Sequence, residues 1–233
     1  MKENVLVFDC SGVYEAQGFL SFLEEKKVPV RRLDLTETEG ICCYCSEDSK
    51  EGILARLEGR LPLLRWLDSG DYHYLTHLLA LQEKEPFHLV LLDHHPDNQD
   101  PAFEGVLSCG SWVKDMSAKN PMLRSVLTIG PEGCPDAVPD AWIAERRGER
   151  VYISLDKDIM APCHARTDWS QGTHTLSQVE HILEGLLDGR MMRLAAIDIC
   201  GETAVSKGAT PEDLRINKET NIALYTLISN YLK

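Results

Sequence analysis

Two short acidic motifs contain the side chains that proteins use to bind divalent metal ions. They are DHHPD at residues 93–97 and DKD at residues 156–158. Because residues i, i+2 and i+4 of an extended chain point the same way, Asp93, His95 and Asp97 share one face, as do Asp156 and Asp158. Carboxylates with a few imidazoles suit Mn²⁺ or Mg²⁺ and could also hold Zn²⁺ or Fe²⁺. The spacing therefore predicts a metal site.

Each motif follows an unbroken apolar run, FHLVLL or VYISL, of the kind found in strands that are buried on both faces. Asp9 and Asp198 close two further apolar runs. Ligands of open parallel sheets bind beyond the carboxyl ends of the strands. Several carboxylates gathered there are costly unless cations neutralise them. Two divalent cations would balance the four carboxylates of the two motifs, so we expect a binuclear site.

Apolar runs alternate with amphipathic stretches along the chain, which indicates an α/β fold with a mostly parallel sheet. Strands are predicted at 4–8, 28–35, 41–45, 87–93, 125–130, 150–156 and 191–200. Helices are predicted at 14–26, 47–59, 72–84, 176–189 and from Thr210 nearly to Lys233. Thr210 is the expected N-cap of the last helix, with Pro211 in its first turn. Since no repeat or linker is evident, we expect one domain over residues 1–233.

Composition excludes several functional classes. Lys and Arg number 24 against 37 Asp and Glu, for a net charge of −13, which disfavours a broad nucleic-acid surface. No stretch approaches the roughly 18 apolar residues of a spanning helix, and the first ten residues do not resemble a signal peptide. We therefore expect a cytoplasmic protein that binds a small molecule and neither nucleic acid nor membrane. A homo-oligomer is compatible with the sequence.

The eight cysteines are scattered and form no CxxC pair. In the cytoplasm they are expected to be mostly reduced. The group Cys42-Cys43-Tyr44-Cys45 could bind a soft metal, but no second pair of cysteines completes such a site in the sequence. We therefore expect small buried thiols on a strand.

Together the motifs resemble the arginase–agmatinase–formiminoglutamase (ureohydrolase) family. That family has a Gly-Asp-His segment, then Asp-x-His-x-Asp, then Ser-x-Asp-x-Asp followed by proline. In the same order, this chain has SGDYH at 69–73, DHHPD at 93–97 and SLDKD at 154–158, with Pro162 beyond. LAAIDICGE and TPEDL resemble the family's final strand and helix, and QGTHTLSQVEHIL resembles its Gly-Gly-Leu-Thr stretch. The resemblance covers roughly residues 66–116 and 150–233 and implies a three-layer α/β/α, arginase-like fold.

The resemblance also implies roles for individual residues. One metal ion, with Mn²⁺ the first choice, would be bound by His73, Asp93, Asp97 and Asp156. The other would be bound by Asp93, His95, Asp156 and Asp158. A hydroxide bridging the two ions would attack the planar carbon of a guanidino or amidino group and cleave a C–N bond. Asp158 is the first candidate to accept the proton and pass it to the leaving amine.

The chain departs from the family pattern at three places. Tyr72 is inserted before His73, and residues 98–112 contain no histidine where the family often has a proton shuttle; CGSW stands there instead. The family's substrate-binding glutamate falls near Gly201, so Glu202 is displaced by one position, which reverses the face of a strand residue. Glu202 remains a candidate for substrate binding and His174 a candidate for proton transfer.

Two alternatives remain open from the sequence. LVLLDHHPDN also resembles the Asp-His-His motif of the DHH phosphoesterases, although Asp9-Cys10-Ser11-Gly12 lacks that family's early His-x-x-x-Asp-x-Asp segment. The departures at the shuttle and the glutamate are compatible with a non-catalytic metal-binding protein on the ureohydrolase scaffold. Three outcomes separate the hypotheses. A ureohydrolase releases urea or an amine, a phosphoesterase releases phosphate, and a non-catalytic protein binds metal tightly without turnover.

Overall fold

A computed structural model describes residues 4–101 and 105–232. Its centre is a seven-stranded sheet in the order β2-β1-β4-β9-β8-β5-β7, in which every neighbouring pair is parallel. A separate antiparallel ribbon pairs β3 with β6. The strands are β1 Val5–Asp9, β2 Val30–Asp34, β3 Tyr44–Cys45, β4 Leu64–Trp66, β5 Phe87–Leu92, β6 Leu107–Ser108, β7 Leu123–Ile129, β8 Arg150–Asp156 and β9 Arg193–Cys200.

Helices cover both faces of the sheet. They are α1 Val13–Ala16, α2 Phe19–Glu25, α3 Glu47–Ala55, α4 Leu75–Ala80, α5 Trp112–Lys119, α6 Asp140–Glu145, α7 Leu176–Leu187 and α8 Pro211–Ser229. Single 3₁₀ turns occupy Gly70–Tyr72, Lys157–Ile159 and Val205–Lys207. No helix in the described part of the chain is long and apolar enough to cross a membrane.

Alternation along the strands divides the core into two layers. Val5 and Val7 of β1 pack with α2, α7 and α8 on one face, whereas Leu6 and Phe8 pack with α4 and α5 on the other. Side chains of a strand point to opposite faces in turn, so an apolar residue at every position feeds both layers. The three-layer α/β/α architecture predicted from the sequence is confirmed.

The order of the central strands brings the two acidic motifs together. β8 lies between β5 and β9, with Leu155 beside Leu92 and Asp156 beside Cys200. Because all three strands run parallel, the residues that follow β5 emerge next to the end of β8 at one edge of the sheet. The residues after β4 join them, since β4 pairs with the other side of β9.

Thr210 caps α8 as predicted: its hydroxyl accepts a hydrogen bond from the Asp213 amide, and Asp213 bonds back to the Thr210 amide. This reciprocal cap, with Pro211 in the first turn, satisfies amides that the helix itself leaves open. The position of α8 matters for the site because Asn221, in its middle, contacts residues beside the acidic cluster.

Several elements differ from the sequence-based prediction. The strand predicted at 41–45 contains only Tyr44–Cys45 and pairs with β6 outside the main sheet. The helix predicted at 14–26 divides at Gly18, whose φ of 72° is left-handed. The helix predicted at 72–84 becomes the turn at 70–72 and the short α4. β4, β6, α5 and α6 were not predicted. For the two strands the reason is their length, because two or three residues carry no measurable periodicity.

Candidate metal centre

One pocket of about 250 Å³ gathers the acidic motifs at the carboxyl edge of the sheet. Asp93, His95 and Asp97 reach it from the loop after β5, and Asp156 and Asp158 from the end of β8 and the turn that follows. All four aspartates are at most 8% exposed. A larger cavity of about 410 Å³ lies elsewhere, beside Asn4, Leu64 and Tyr225, and contains no carboxylate.

His73 forms the centre of a first group of ligand atoms. Its Nδ1 lies 3.2 Å from Asp93 Oδ2, 3.0 Å from Asp97 Oδ2 and 3.6 Å from Asp156 Oδ2. Its Nε2 lies 2.8 Å from Ser154 Oγ, which sets the ring orientation. The 3₁₀ turn at 70–72 contains the inserted Tyr72, and His73 follows it in contact with Asp93 and Asp97, which line the pocket. His73 Nδ1 and Asp93 Oδ2 are both buried, and neither makes a hydrogen bond.

His95 forms the centre of a second group. Its Nδ1 lies 2.8 Å from Asp158 Oδ2 and 3.7 Å from Asp93 Oδ1. Its Nε2 lies 2.9 Å from Ser170 Oγ. Within the set His73, Asp93 and Asp97, and within the set Asp93, His95 and Asp158, one atom per residue falls within 4.8 Å of the others, so either set could surround a cation. Asp156 meets the same distance in a third set, with His73 and Cys200. Asp93 belongs to both groups, through a different oxygen in each, which is the arrangement of a bridging carboxylate.

Backbone and indole N–H groups orient the carboxylates. Asp158 Oδ1 accepts a hydrogen bond from the His94 amide at 2.9 Å, and Asp156 Oδ1 accepts one from the Asp158 amide at 2.9 Å. Asp97 Oδ2 accepts from Trp112 Nε1 at 2.6 Å. The free oxygen of Asp158 then faces His95 and Oδ2 of Asp156 faces His73, whereas Asp97 Oδ2 faces both Trp112 and His73. Such supporting contacts fix ligand geometry in metal sites.

The acidic residues shift one another's protonation. Burial, reinforced by the charge of Asp158, raises the pKa of Asp156 to about 6. Burial and the charge of Asp93 likewise raise the pKa of Asp158 to about 6. Burial and the charge of Asp97 raise the pKa of Asp93. Hydrogen bonding to Asp158 and Asp93 raises the pKa of His95 to about 10. Burial lowers the pKa of His73, but Cys200, Asp93 and Asp97 raise it by more. The two imidazoles are therefore the positive charges of the cluster, and divalent cations bound there would replace their protons. The donor types and the unpartnered buried atoms both fit such ions.

Solved structures of other proteins superpose on nearly the whole of this chain. A putative agmatinase from Clostridium difficile superposes with a TM-score of 0.67 at 11% identity, over 100% of this chain and 99% of that one. Proclavaminate amidino hydrolase from Streptomyces clavuligerus gives 0.65 at 16% identity, over 99% and 92%. Arginase from Bacillus caldovelox gives 0.62 at 12% identity, over 96% and 98%.

The chain has the arginase fold. No protein-family model matches it. An uncharacterized protein of Thermotoga maritima is 26% identical over 216 residues, which are 85% of this chain and 80% of the relative. The ureohydrolase resemblance seen in the motifs is thus confirmed at the level of the fold.

Within the arginase fold, two strand-end carboxylates stay outside the acidic pocket. Asp9 is ion-paired with Arg32. Asp198 accepts a hydrogen bond from Tyr152 Oη at 2.6 Å and lies 3.5 Å from Arg65 Nη1. Because arginines already neutralise them, these carboxylates need no metal ion. Neither residue was among the metal ligands predicted from the sequence.

Glu202 also lies outside the acidic pocket. It is fully buried, and its carboxylate pairs with Lys157 Nζ at 2.5 Å and accepts from Asn221 Nδ2 at 2.8 Å. The one-residue displacement explains this position: Gly201 takes the side facing Asp156, and Glu202 turns into the interior. A Cβ on Gly201 would lie 2.3 Å from Asp156 Oδ1, and its φ is +91°.

His174, the other sequence-based candidate, is not among the residues that line the pocket. It pairs with Met160 in an isolated bridge, and its Nε2 lies 3.1 Å from the Asp136 carbonyl oxygen. These contacts with Met160 and Asp136 fix the position of the loop that follows Asp158. His94 alternates with Asp93 and His95, so in an extended chain its side chain points to the opposite side; it contributes its backbone amide, which donates to Asp158 Oδ1.

Sequence reasoning missed several residues of the site. Trp169 borders the pocket, with its Nε1 donating to Asp71 Oδ1 at 3.0 Å and its ring 5.9 Å from that of His95. The Cys200 thiol donates to Asp156 Oδ2 at 3.2 Å. Cys43 and Cys109 line the same pocket. Cys200, Cys43 and Cys109 belong to segments noted in the sequence, LAAIDICGE, Cys42–Cys45 and CGSW, but nothing in those segments links them to the pocket, and only the folded chain brings them and Trp169 to the site.

Proposed function

We propose that this protein is a metal-dependent hydrolase that cleaves a C–N bond of a guanidino or amidino small molecule. The observation that carries the proposal is the pair of ligand groups, centred on His73 and His95, that share Asp93 within one pocket. The arginase fold supports it, since the superposed agmatinase and amidino hydrolase bear names of this chemistry. We expect two divalent cations, with Mn²⁺ the first choice because carboxylates dominate the donor set.

The proposed ligand sets follow the two groups. His73, Asp93, Asp97 and Asp156 would hold one cation, and Asp93, His95, Asp156 and Asp158 the other. The buried atoms without hydrogen bonds, His73 Nδ1 and Asp93 Oδ2, support the first set because a native interior seldom leaves such atoms unsatisfied. When bound, the two cations would supply Lewis-acid activation of water at neutral pH.

The chain's own residues would then manage the proton. Asp158 is held from two sides, by the His94 amide on Oδ1 and by the His95 ring on Oδ2. This fixed carboxylate can accept a proton from the attacking water and return it to the departing nitrogen. Trp169, which is 41% exposed, forms part of the pocket wall and limits the space over the acidic cluster.

The test is metal analysis of protein purified without chelator, followed by assays of the Mn²⁺-loaded protein against guanidino and amidino compounds. We expect release of urea, ammonia or an amine, and loss of that activity in Asp156→Ala. Phosphate release from a phosphodiester, without C–N cleavage, would contradict the proposal in favour of the phosphoesterase hypothesis. The arginase fold and the Asp9–Arg32 ion pair already argue against that alternative.

A second candidate function is metal binding without catalysis. The observation that favours it is the ion pair of Glu202 with Lys157, which withdraws from the pocket the carboxylate nearest the family's substrate-binding position. Tight binding of two cations with no turnover across the guanidino, amidino and phosphodiester compounds would favour this second function and contradict the first.

A further inference from the structure

Three cysteines and an aspartate lie close together beside the acidic pocket, which two of them, Cys43 and Cys109, line. We call this cluster the thiol rim: Cys42, Cys43, Cys109 and Asp71. The sulfur atoms of Cys42 and Cys43 and one oxygen of Asp71 all lie within 4.8 Å of one another. The Cys42 thiol donates to Asp71 Oδ2 at 3.4 Å. The rim is therefore a second set of ligand types, made mainly of sulfur, next to a set made of oxygen and nitrogen.

Cys109 completes the thiol rim. It directly follows β6, and Cys43 directly precedes β3, in the β3–β6 ribbon. The register pairs Tyr44 with Ser108, which sets Cys43 opposite Cys109. The Cys109 amide donates to the Cys43 carbonyl oxygen at 2.9 Å and holds the two residues together. Both line the pocket. The sequence contains no second cysteine pair for a soft-metal site, but the fold supplies Cys109 and Asp71 in its place.

We propose that the thiol rim binds a thiophilic divalent cation of the Zn²⁺ type, at a site separate from the carboxylate cluster. Thiolates select ions such as Zn²⁺, whereas carboxylates suit Mn²⁺ or Mg²⁺, so neighbouring sites would sort different ions. Cys42, Cys43 and Asp71 are three ligands, and the Cys109 thiol or a water is the fourth of a tetrahedral set. Each thiol that binds the cation releases one proton to solvent.

The positive charge of Lys207 lies close to this site and has to be reconciled with a cation. Its ammonium contacts Asp71 Oδ2 at 2.5 Å and Asp168 Oδ2 at 3.3 Å. The Lys207 side chain is 41% exposed, so it can release Asp71 and remain beside Asp168. Two thiolates and the Asp71 carboxylate then balance a divalent cation together with the ammonium.

The rim is also accessible, which a cation site beside the pocket requires. Cys42 is exposed, Cys43 is partly exposed, and Cys109 is buried against them. Cys163 is likewise exposed but is not part of the rim. It therefore serves as a matched control in the same molecule, because both thiols are open to reagent and only one belongs to the proposed site.

The first experiment measures thiol protection in the full-length, reduced protein. Zn²⁺ should protect Cys42 from alkylation, as read by peptide mass spectrometry, and should leave Cys163 reactive. Equal labelling of Cys42 with and without Zn²⁺ would overturn the proposal. A Cys43–Cys109 disulfide in the protein prepared with reductant, seen as a mass two hydrogens lower, would also overturn it, since oxidised sulfurs cannot ligate the ion.

The second experiment uses Co²⁺ in place of Zn²⁺, because thiolate ligation gives a charge-transfer absorption that does not depend on catalysis. We expect this absorption in wild type and in Cys163→Ser. Cys43→Ser should weaken binding by more than about tenfold, the loss seen when even an outer-shell partner of a metal ligand is removed. An unchanged spectrum in Cys43→Ser would contradict the site.

The double variant Asp93→Ala/Asp156→Ala separates this inference from the proposed function. It removes the carboxylate ligands and should retain the thiolate absorption. Disappearance of the absorption in this variant, with the fold intact by circular dichroism, would show that the sulfur site does not exist apart from the carboxylate cluster.

Discussion

Two kinds of buried carboxylate lie at the same edge of the sheet. Asp198 and Glu202, on and just after β9, each contact a buried cationic side chain of the protein, Arg65 or Lys157. Asp93 and Asp156, at the ends of the neighbouring β5 and β8, contact other acids and two imidazoles. Burial is nearly the same in both regions, at 1% or less for three of the four and 3% for Asp156. The two regions differ in the groups that their carboxylates contact.

This difference in partners separates the carboxylates that we treat as structural from those that we propose as metal ligands. A buried charge is tolerated when it is paired and hydrogen-bonded. The β9 region meets that condition with residues of the chain, so its carboxylates are structural. Among the described residues, the β5–β8 aspartates have no ion pair with lysine or arginine, and their basic partners are the imidazoles of His73 and His95. Buried oxygens without a hydrogen bond occur in both regions, at Asp93 Oδ2 and at Asp198 Oδ1 and Glu202 Oε2, so the distinction rests on the cationic partner. The comparison therefore predicts opposite responses to substitution in the two regions.

The largest effect is expected from Asp156→Ala. Asp156 is in the group around His73, and its side chain is ordered by the Asp158 amide, so both proposed ligand sets depend on it. We expect binding of both cations to be lost, as measured by metal content after equilibrium dialysis with Mn²⁺. His94→Ala is the control: it keeps the backbone amide that contacts Asp158 and removes only a ring that meets His95 edge-on, so it should retain both ions. A His94→Ala variant more damaging than Asp156→Ala would contradict the assigned faces.

The paired region should respond through stability. Glu202→Ala leaves Lys157 buried without its carboxylate, and breaking such a pair costs about 3–5 kcal/mol of unfolding free energy. Replacing both partners, in Lys157→Met/Glu202→Leu, should restore most of that loss because no unpaired charge remains. Denaturant unfolding measures both changes. Equal destabilisation by the single and double variants would mean that packing, and not charge pairing, is what Glu202 provides.

Gly201 belongs to both regions: it precedes Glu202 in the chain and faces Asp156. A substitution there tests whether a change beside Glu202 disturbs the proposed metal ligands. Gly201→Ala would press a Cβ against Asp156 Oδ1, 2.3 Å away, and so displace a proposed ligand. We expect Mn²⁺ affinity to fall by about 10- to 100-fold, as when other supporting contacts of a metal ligand are lost. Gly208→Ala is the matched control, because its φ of +89° is similarly left-handed and nothing lies within 4 Å of the added Cβ. Equal loss of affinity in both variants would indicate backbone strain alone.

Sequence reasoning located the acidic tips of β5 and β8 because a long apolar strand followed by polar residues at a period of two is a local signal. It located His73 through the ureohydrolase resemblance, and the 3₁₀ turn at 70–72 shows how the inserted residue is accommodated. The one-residue shift at Glu202 predicted that its side chain faces away from the pocket. Its ion pair with Lys157 was not predicted. A lysine between two aspartates gives no sign of where its ammonium lies.

The thiol rim and the arginine pairs could not be predicted, for a common reason. Each joins segments that are distant in the chain, such as Cys43 with Cys109, or Asp198 with Arg65. The β3–β6 ribbon that unites the thiols has two residues per strand, too few for a periodic pattern. Local patterns predict which residues leave a strand, whereas tertiary contacts decide which of them are already neutralised.

The smallest effect is expected at Asp9, because its ion-pair partner, Arg32, is partly exposed. Arg32 is 42% exposed while Asp9 is fully buried, so Arg32→Ala leaves a buried carboxylate that water partly reaches and that the Gly12 amide still contacts at 2.9 Å. We expect a loss of about 1 kcal/mol in unfolding free energy, the low end for a buried group that loses a partner, and no change in Mn²⁺ content. Arg190→Ala, in an exposed pair with Asp188, should leave stability unchanged. Loss of Mn²⁺ in Arg32→Ala would place Asp9 with the metal-binding carboxylates and remove the distinction between the two regions.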